Sequence, residues 1–188
     1  NGLAHTSVHN TVTVDDKDQM TMVSRFTWTN WSKGKVLKHD KNYWQGEHDG
    51  YKPVSHERSV TAMEGDRWLV VDHLNAQGSH HYALHWLLND YLFEHSGDSI
   101  LLSVEEMKYK LQVGTMNANG SLSIVRADPA TTRGWRSRYY GHKEPAISVM
   151  LEADQPQVMF WTFFGFENDV VEIVGDTLKI NSETIQLP

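Results

Sequence analysis

Apolar and polar residues alternate along much of this chain, and this pattern is typical of antiparallel strands with one face in water. Residues 107–113 place Met, Tyr, Leu and Val at every second position, with Lys, Lys and Gln between them. Such alternation predicts a half-buried strand. The turn sequence at 117–120 and strand-like residues 121–127 follow, so we predict a hairpin here. The alternative is a helix opened by a capping box at Ser103 and Glu106.

Two stretches depart from this one-sided pattern. Residues 67–74 and 158–166 carry bulky apolar side chains at both odd and even positions. Antiparallel strands with one face in water do not have such a composition. We therefore expect either that these strands lie between two layers of the domain or that something outside the chain covers them.

Turn signals separate short strands along the whole chain. Residues 63–68 and 174–187 each read as strand, Gly-Asp or Asn-Ser turn, and strand. No segment has a pattern that we would assign to a helix, and no linker divides the sequence. We predict one all-β domain over residues 1–188, a layered antiparallel β-sandwich of the supersandwich kind.

Composition and charge restrict the possible partners. The chain has 17 Lys and Arg against 24 Asp and Glu, so its formal net charge of −7 disfavours nucleic acid as a partner. It has no cysteine, which excludes disulfides and thiolate zinc sites. No apolar run is long enough to span a membrane. The 11 histidines leave imidazole and carboxylate metal sites possible, and the many aromatic residues suit a thick core or a sugar-stacking surface.

A basic and aromatic segment interrupts this acidic chain. Residues 131–143 contain four cations and three aromatic side chains, and no acid: Arg133, Arg136, Arg138, Lys143, Trp135, Tyr139 and Tyr140. Guanidinium groups match carboxylate and sulfate oxygens two at a time, and aromatic rings offer flat faces to sugars. We predict that an anionic glycan binds here. The alternative is a solvated loop whose tryptophan fills the core.

Two further segments supply candidates. Residues 46–51 place His48 and Tyr51 beside two glycines, where the backbone can approach a ligand, so both are predicted substrate contacts. A sharp turn with a packed tyrosine is the alternative. In residues 80–88, alternation puts Tyr82 on one face and His81 and His85 on the other, so we expect these histidines to face water or a partner.

Four motifs occur in a characteristic order: "HNTVTVDDKDQ" from residue 9, "GEHDGY", "ERSVTAMEGDRWLVVDHL" and "RGWRSRYYGHKEPA". Together they resemble the C-terminal β-sandwich of the heparinase II/III-like family of polysaccharide lyases. The resemblance covers most of residues 5–166. It implies a two-part protein in which a helical toroid packs on the sandwich, with the substrate cleft between them.

The resemblance also implies a chemistry. Such lyases cleave uronic-acid-containing polysaccharides by β-elimination, in which a base removes the proton on C5 while neighbouring groups neutralise the carboxylate. The family's catalytic residues lie on the toroid and in strands before the His-Asn-Thr motif. We therefore assign no catalytic residue here and expect these 188 residues, which lack the N-terminal helical toroid, to be inactive alone.

Family members with bound zinc use the histidine of the His-Asn-Thr strand as one ligand. The resemblance thus makes His9, at the start of the first predicted strand, a candidate ligand of an incomplete structural zinc site, since the other ligands would precede residue 1. It further implies a periplasmic or secreted bacterial protein. Two other functions stay open: a freestanding carbohydrate-binding module, and a structural β-sandwich module in surface-polysaccharide metabolism.

Overall fold

The computed structural model describes residues 2–187, and these are built almost entirely from antiparallel strands. Two 3₁₀ turns, Gly2–Ala4 and Thr6–Val8, precede the first strand. The first nine strands are β1 (Val12–Val14), β2 (Thr21–Ser24), β3 (Thr27–Thr29), β4 (Gly34–His39), β5 (Tyr43–His48), β6 (Ser55–Met63), β7 (Arg67–Leu88), β8 (Leu92–Ser96) and β9 (Ser99–Val104). The other eight are β10 (Met107–Thr115), β11 (Ser121–Arg126), β12 (Trp135–Arg136), β13 (Glu144–Pro145), β14 (Ile147–Phe166), β15 (Val171–Val174), β16 (Thr177–Ile180) and β17 (Glu183–Gln186). Over these described residues there is no α-helix, and no helix is long and apolar enough to cross a membrane.

The two longest strands lie next to each other in the middle of the main sheet. β7 and β14 pair antiparallel along their whole length, from Leu88 opposite Ile147 to Trp68 opposite Phe164. A register shift between Gln155 and Gln157 interrupts the ladder near its middle. Residues 76–79 of β7 lie opposite Pro156 alone, and because extra residues on one strand bend and twist a sheet, this irregularity divides the long pair into two halves.

Different strands flank the two halves. On the half that contains residues 67–75 and 157–164, the sheet continues in the order β4-β5-β6-β7-β14-β10-β9-β8. On the other half, β1 pairs with β7 and β11 pairs with β14. All these pairings are antiparallel, so the ten strands form one continuous sheet.

This sheet folds over on itself around the main core. Trp86, on one half, donates a hydrogen bond of 2.9 Å from Nε1 to Oγ1 of Thr162 on the other half. Its ring also meets Phe164 edge to face at a centroid distance of 5.0 Å. The two halves thus become the two layers of an antiparallel sandwich, which confirms the predicted fold class.

A second core explains the strands that are apolar on both faces. Val70 and Phe160 face the main core, whereas their neighbours Leu69 and Trp161 point to the opposite side of the same strands. There the small β15-β16-β17 sheet covers them, with Leu178 at the centre of the contact. The first of the two expected explanations is therefore correct: these strands lie between layers, and no outside partner is needed to bury them.

The predicted hairpin of residues 107–127 is wrong, although both of its strands exist. β10 pairs with β9 and with Phe160–Phe166 of β14, and β11 pairs with Ile147–Glu152 of β14. β10 and β11 do not pair with each other, because the 20-residue β14 offers each of them a separate place. The turn at residues 117–120 carries the chain from one half of the sheet to the other.

The other turn predictions are confirmed. β6 and β7 form a hairpin around Gly65 and Asp66, which have positive φ angles of 71° and 58°. The last three strands follow one another as successive antiparallel pairs. Here each strand is short and pairs, among the described residues, only with strands adjacent to it in the sequence, so local turn signals are sufficient.

Candidate functional site

The His-Asn-Thr motif lies just before β1 rather than within it, because the strand begins at Val12. This differs from the prediction that the strand starts at His9, and Asn10 supplies the reason. Its side-chain Oδ1 accepts the backbone N–H of Leu87 at 2.7 Å, a place that a strand carbonyl would otherwise take. Asn10 thus ends the ladder through its side chain.

Two side chains from the sheet hold the backbone of this motif. The carbonyl of His9 lies 3.1 Å from Nδ1 of His85, and the carbonyl of Asn10 accepts a hydrogen bond of 2.6 Å from Nη1 of Arg58. Because a carbonyl can only accept, His85 carries its proton on Nδ1. The backbone of His9 and Asn10 is therefore held in place through both of its carbonyl groups, with the His9 side chain exposed.

His85 is buried, which corrects the expectation that it faces water or a partner. Its Nε2 lies 2.7 Å from Oγ of Ser148, which also accepts a bond of 3.0 Å from Nε of Arg133. Burial lowers the pKa of His85 to about 4, so the ring is neutral at pH 7. The His-Asn-Thr motif covers the face of β7 on which His85 lies. Alternation of residue types along β7 could not reveal this cover. His81 is half-buried and pairs with Asp154 at 3.0 Å.

A chain of buried hydrogen bonds runs from β7 to β5. Arg58 donates to both carboxylate oxygens of Asp72, at 2.7 and 2.9 Å, and His56 Nε2 lies 2.6 Å from the same carboxylate. His56 Nδ1 is 2.8 Å from Nε2 of His48, and His48 Nδ1 accepts the N–H of Gly50 at 3.2 Å. Since the Gly50 N–H can only donate, His48 donates through Nε2 to His56, and the bonds all point towards Asp72.

The electrostatics of this chain follow from burial and from the Arg58 charge. Burial lowers the pKa of His48 to about 4, and nearby positive charge acts in the same direction. Burial by itself would raise the pKa of Asp72, but Arg58 and the bond from His56 outweigh it and hold that pKa below its usual range. Asp72 is therefore an ionised, fully paired carboxylate inside the protein.

The two predicted contacts of residues 46–51 both have bonds within the protein. His48 is one link of the chain described above. Tyr51 is buried, and its hydroxyl donates to the carbonyl of Val12 at 3.0 Å, with the carbonyl of Lys17 at 3.3 Å. Burial raises the pKa of Tyr51. Tyr51 thus holds the outer edge of β1, and its contact with a glycan stays a prediction, as does that of His48.

The basic segment 131–143 is held in place by Gly134. This residue has a φ of 73°, and a Cβ there would lie 2.5 Å from the backbone nitrogen of Ala127. Only glycine allows such an approach. The carbonyl of Gly134 accepts the N–H groups of Ala127 and Ala146, which fixes the segment against the end of β11 and the start of β14.

The three predicted arginines of this segment are paired within the protein. Arg133 donates to the side chain of Ser148 and to both the side chain and the carbonyl of Ser123. All three guanidinium nitrogens of Arg133 are therefore used. Arg136 and Arg138 both reach Oε1 of Glu144, each at 2.6 Å. Glu144 directly follows the segment, and its pairing with these arginines was not predicted from the sequence. Contacts of these arginines with a glycan stay predictions.

Lys143 differs from these arginines. Its ammonium lies 3.9 Å from the centroid of the Trp135 indole, and over residues 2–187 it donates no hydrogen bond to the protein. The indole itself is anchored by a 2.7 Å bond from Nε1 to the carbonyl of Asp128. Tyr139 and Tyr140 are exposed, at 72% and 78%. Lys143 thus offers an unpaired cation above a fixed aromatic ring.

A cavity of about 580 Å³, here called the basic cavity, opens beside this ring. Its lining includes Trp135, Tyr140 and Lys143 from the predicted segment, and it contains no Asp or Glu. Arg25, on the turn between β2 and β3, joins them by a hydrogen bond to the Tyr140 hydroxyl, with its guanidinium 5.7 Å from the ring centroid. No sequence signal connects Arg25 with residues so distant in the chain.

The basic cavity is one end of a longer groove. It shares Leu3 and Ala4 with a cavity of about 480 Å³ that His9 and Trp28 line. That second cavity shares Thr11 with a third, of about 330 Å³, on the open face of β4, β5 and β6. Through His9 and Thr11, the clamped His-Asn-Thr motif therefore lines the middle one of three neighbouring cavities, which together are here called the groove.

The resemblance implies a zinc site, in which several ligands would surround one ion. Over residues 2–187, no group of three or more His, Asp or Glu side chains is arranged to hold a metal ion. His9 is exposed and lines its cavity together with Gln19 and Trp28. The described residues therefore do not form a zinc site by themselves. That His9 is one ligand of a site completed by other polypeptide stays a prediction.

The fold is that of a large antiparallel β-sandwich domain with open cavities along one side, and comparisons identify its family. The family model described as "Heparinase II/III-like, C-terminal" matches residues 1–174. No curated protein matches the chain. This chain belongs to the heparinase II/III-like C-terminal family, as the motif order predicted.

Solved structures share the fold. A heparinase III, the BT4657 gene product, superposes with a TM-score of 0.73 at 20% identity over 97% of this chain. The heparan sulfate lyase HepC from Pedobacter heparinus gives 0.65 at 18% identity over 97%. Another heparinase III gives 0.70 at 12% identity over 95%. The chain spans only 30%, 30% and 29% of the lengths of those three proteins.

Proposed function

We propose that this chain is the cleft-forming β-sandwich domain of a polysaccharide lyase that cleaves a uronic-acid-containing polysaccharide by β-elimination. The observation that carries the proposal is the groove: a cationic, aromatic cavity without a carboxylate, next to a clamped His-Asn-Thr motif. Solved structures with the same fold bear the names heparinase III and heparan sulfate lyase. The family membership supports the same function.

In this proposal the groove binds the charged groups of the glycan. Lys143 meets a carboxylate or sulfate, and the Trp135 ring beneath it fixes its position. Pairing the uronate carboxylate with a cation also lowers the negative charge beside C5, which makes removal of the C5 proton easier. The base and the acid of the elimination come from the helical toroid and from strands that precede the His-Asn-Thr motif, so no residue of this chain is assigned as catalytic.

The proposal includes a location and a partner domain. A lyase that acts on large extracellular polysaccharides meets them outside the cytoplasm, so we expect the protein to be periplasmic or secreted. We also expect the groove to form one wall of a cleft whose other wall is the helical toroid of the same protein.

An elimination assay tests this function. The intact protein is incubated with heparan sulfate and with alginate, and the ultraviolet absorbance of the unsaturated uronate product is followed. We expect turnover of at least one uronate polymer by the intact protein and none by the 188-residue chain. The Lys143→Ala variant should lower kcat/KM by about 10-fold, through both a higher KM and a lower kcat, because it removes a cation that binds the substrate and offsets the negative charge beside C5. Turnover by the 188-residue chain would contradict the division of labour.

The second candidate is a carbohydrate-binding module without elimination chemistry. It is favoured by the observation that the basic cavity is lined within this chain, with Lys143 and Arg25 supplied by two of its own segments. Calorimetry separates the two functions. Binding of a uronate polymer by the intact protein without any product absorbance would favour the module, and the absence of both would contradict both.

A further inference from the structure

The third cavity contains an aromatic platform that the glycan proposal does not use. Trp44 and Gly46 point to the same face of β5, and a Cβ at Gly46 would lie 2.6 Å from Cζ2 of Trp44 and 2.7 Å from Cη2. The indole therefore occupies the space over Gly46 that any other side chain would fill. It runs along the strand instead of projecting from it, and it is 41% exposed.

The charges around this platform are already paired within the protein. Nζ of Lys35 lies 3.6 Å from Oε1 of Glu47, and Arg58 is bound to the buried Asp72. The cavity lining is otherwise mostly apolar and includes Val36 and Gly46. This cavity thus differs from the basic cavity, since it offers a flat ring and no unpaired cation.

We propose that Trp44 forms a saccharide subsite that stacks against the apolar face of a pyranose ring, while the charged groups of the same glycan bind at the basic cavity. The inference rests on the proposed function and extends it to a longer substrate. Continuity supports it: Leu3 and Ala4 connect the basic cavity to the His9 cavity, and Thr11 connects that cavity to the platform. Sugar rings present C–H groups on one face, and these pack well on an indole.

Oligosaccharide length tests the subsite. Affinities of the intact protein for a short and a long uronate oligosaccharide are measured by calorimetry. We expect Trp44→Ala to weaken the long ligand by about 10-fold and to leave the short one unchanged. Lys143→Ala should weaken both. Trp31→Ala, which removes a 76% exposed indole outside the cavity lining, is the matched control and should change neither.

Two further variants separate stacking from a general loss of structure. Trp44→Phe keeps a flat ring and should recover most of the affinity for the long ligand. Gly46→Ala keeps the indole but places a methyl group where the ring lies, so it should weaken the long ligand and shift the tryptophan fluorescence.

The outcomes distinguish failure of the subsite from failure of the proposed function. If Lys143→Ala weakens both ligands while Trp44→Ala changes neither, the subsite is overturned and the basic cavity stands. If none of the substitutions, Lys143→Ala included, changes the affinity of the intact protein for any uronate oligosaccharide, the proposed function fails as well. If Trp44→Ala lowers the melting temperature of the intact protein without changing affinity for the long ligand, the indole packs against protein, and the subsite is again overturned.

Discussion

The surroundings of Asp72 and those of Lys143 show how differently one domain treats its ionisable groups. Around Asp72, the carboxylate and one imidazole are buried, a guanidinium and a second imidazole are half-buried, and each group has a partner. Around Lys143, the side chains are exposed, and the ammonium lies on an indole without a hydrogen-bonded partner among residues 2–187. The buried groups hold the His-Asn-Thr motif in place, and the exposed ones are left for a ligand.

The type of a charged residue therefore does not determine its role. Arg58 and Arg126 each donate through Nε and Nη2 to the two oxygens of an aspartate. Asp72 is 1% exposed, whereas the pair of Arg126 with Asp90 lies at the surface. Removing a partner is costly only where water cannot replace it.

The largest expected effect is therefore that of Asp72→Ala. The change leaves Arg58 and His56 without their shared carboxylate, and we expect it to lower the free energy of unfolding by about 3–5 kcal/mol. Urea unfolding followed by circular dichroism measures it. Asp90→Ala breaks the same bonding geometry at the surface and should cost less than about 1 kcal/mol. Equal effects of the two variants would contradict the buried network.

The second effect is a loss of stability in mild acid. Folding lowers the pKa of His85 to about 4, so between pH 6.5 and 4 the unfolded chain binds a proton that the folded chain does not. Stability should fall as pH falls through this window, by roughly 3 kcal/mol from His85, with His48 acting in the same direction. Unfolding at a series of pH values measures the slope.

The matched variants for this slope are His85→Gln and His39→Gln. Replacing the buried histidine should make stability less dependent on pH in this window, even if the variant is less stable at pH 7. Replacing the exposed histidine on β4 should leave the slope as it is. A slope unchanged by His85→Gln would show that this ring does not stay neutral in the folded state.

A smaller effect is expected from the glycine that positions the basic segment. Gly134→Ala introduces a Cβ 2.5 Å from a backbone nitrogen at a positive φ, so we expect a loss of about 2 kcal/mol and a displaced Trp135 ring. Gly141 has almost the same φ, 74°, but open space around it, and Gly141→Ala should cost only about 1 kcal/mol. Melting temperatures and near-ultraviolet circular dichroism compare the pair, and similar losses would contradict the close approach.

The fold class could be predicted because it depends on local patterns. Alternation identified β10 and β11, and apolar residues on both faces showed that parts of β7 and β14 are covered on both sides, either by layers of the domain or by something outside the chain. The pairing of β10 and β11 could not be predicted, since their shared partner β14 begins only at Ile147, after both of them, and is long enough for both. Turn signals predict pairing between strands that are neighbours in the sequence, whereas a long central strand pairs with strands that are distant in the sequence.

The candidate site could be predicted only in part, for the same reason. The composition of residues 131–143 indicated an anion site, and the structure places Trp135, Tyr140 and Lys143 at one cavity. The sequence did not reveal that Glu144 would pair with two of the predicted arginines, nor that Arg25 would join from a distant hairpin. Which cations remain unpaired is decided by tertiary contacts.

The most direct test of the account is the affinity of the intact protein for heparan sulfate or alginate, measured by calorimetry at low and high salt for matched lysine variants. Lys143→Ala should weaken binding by about 10-fold at low salt and make it less dependent on salt, because one cation of the groove is lost. Lys179→Ala removes the same charge from the exposed side of β16 and should have no effect. Equal affinities of the Lys143→Ala variant and the unchanged protein for every uronate polymer would contradict the account.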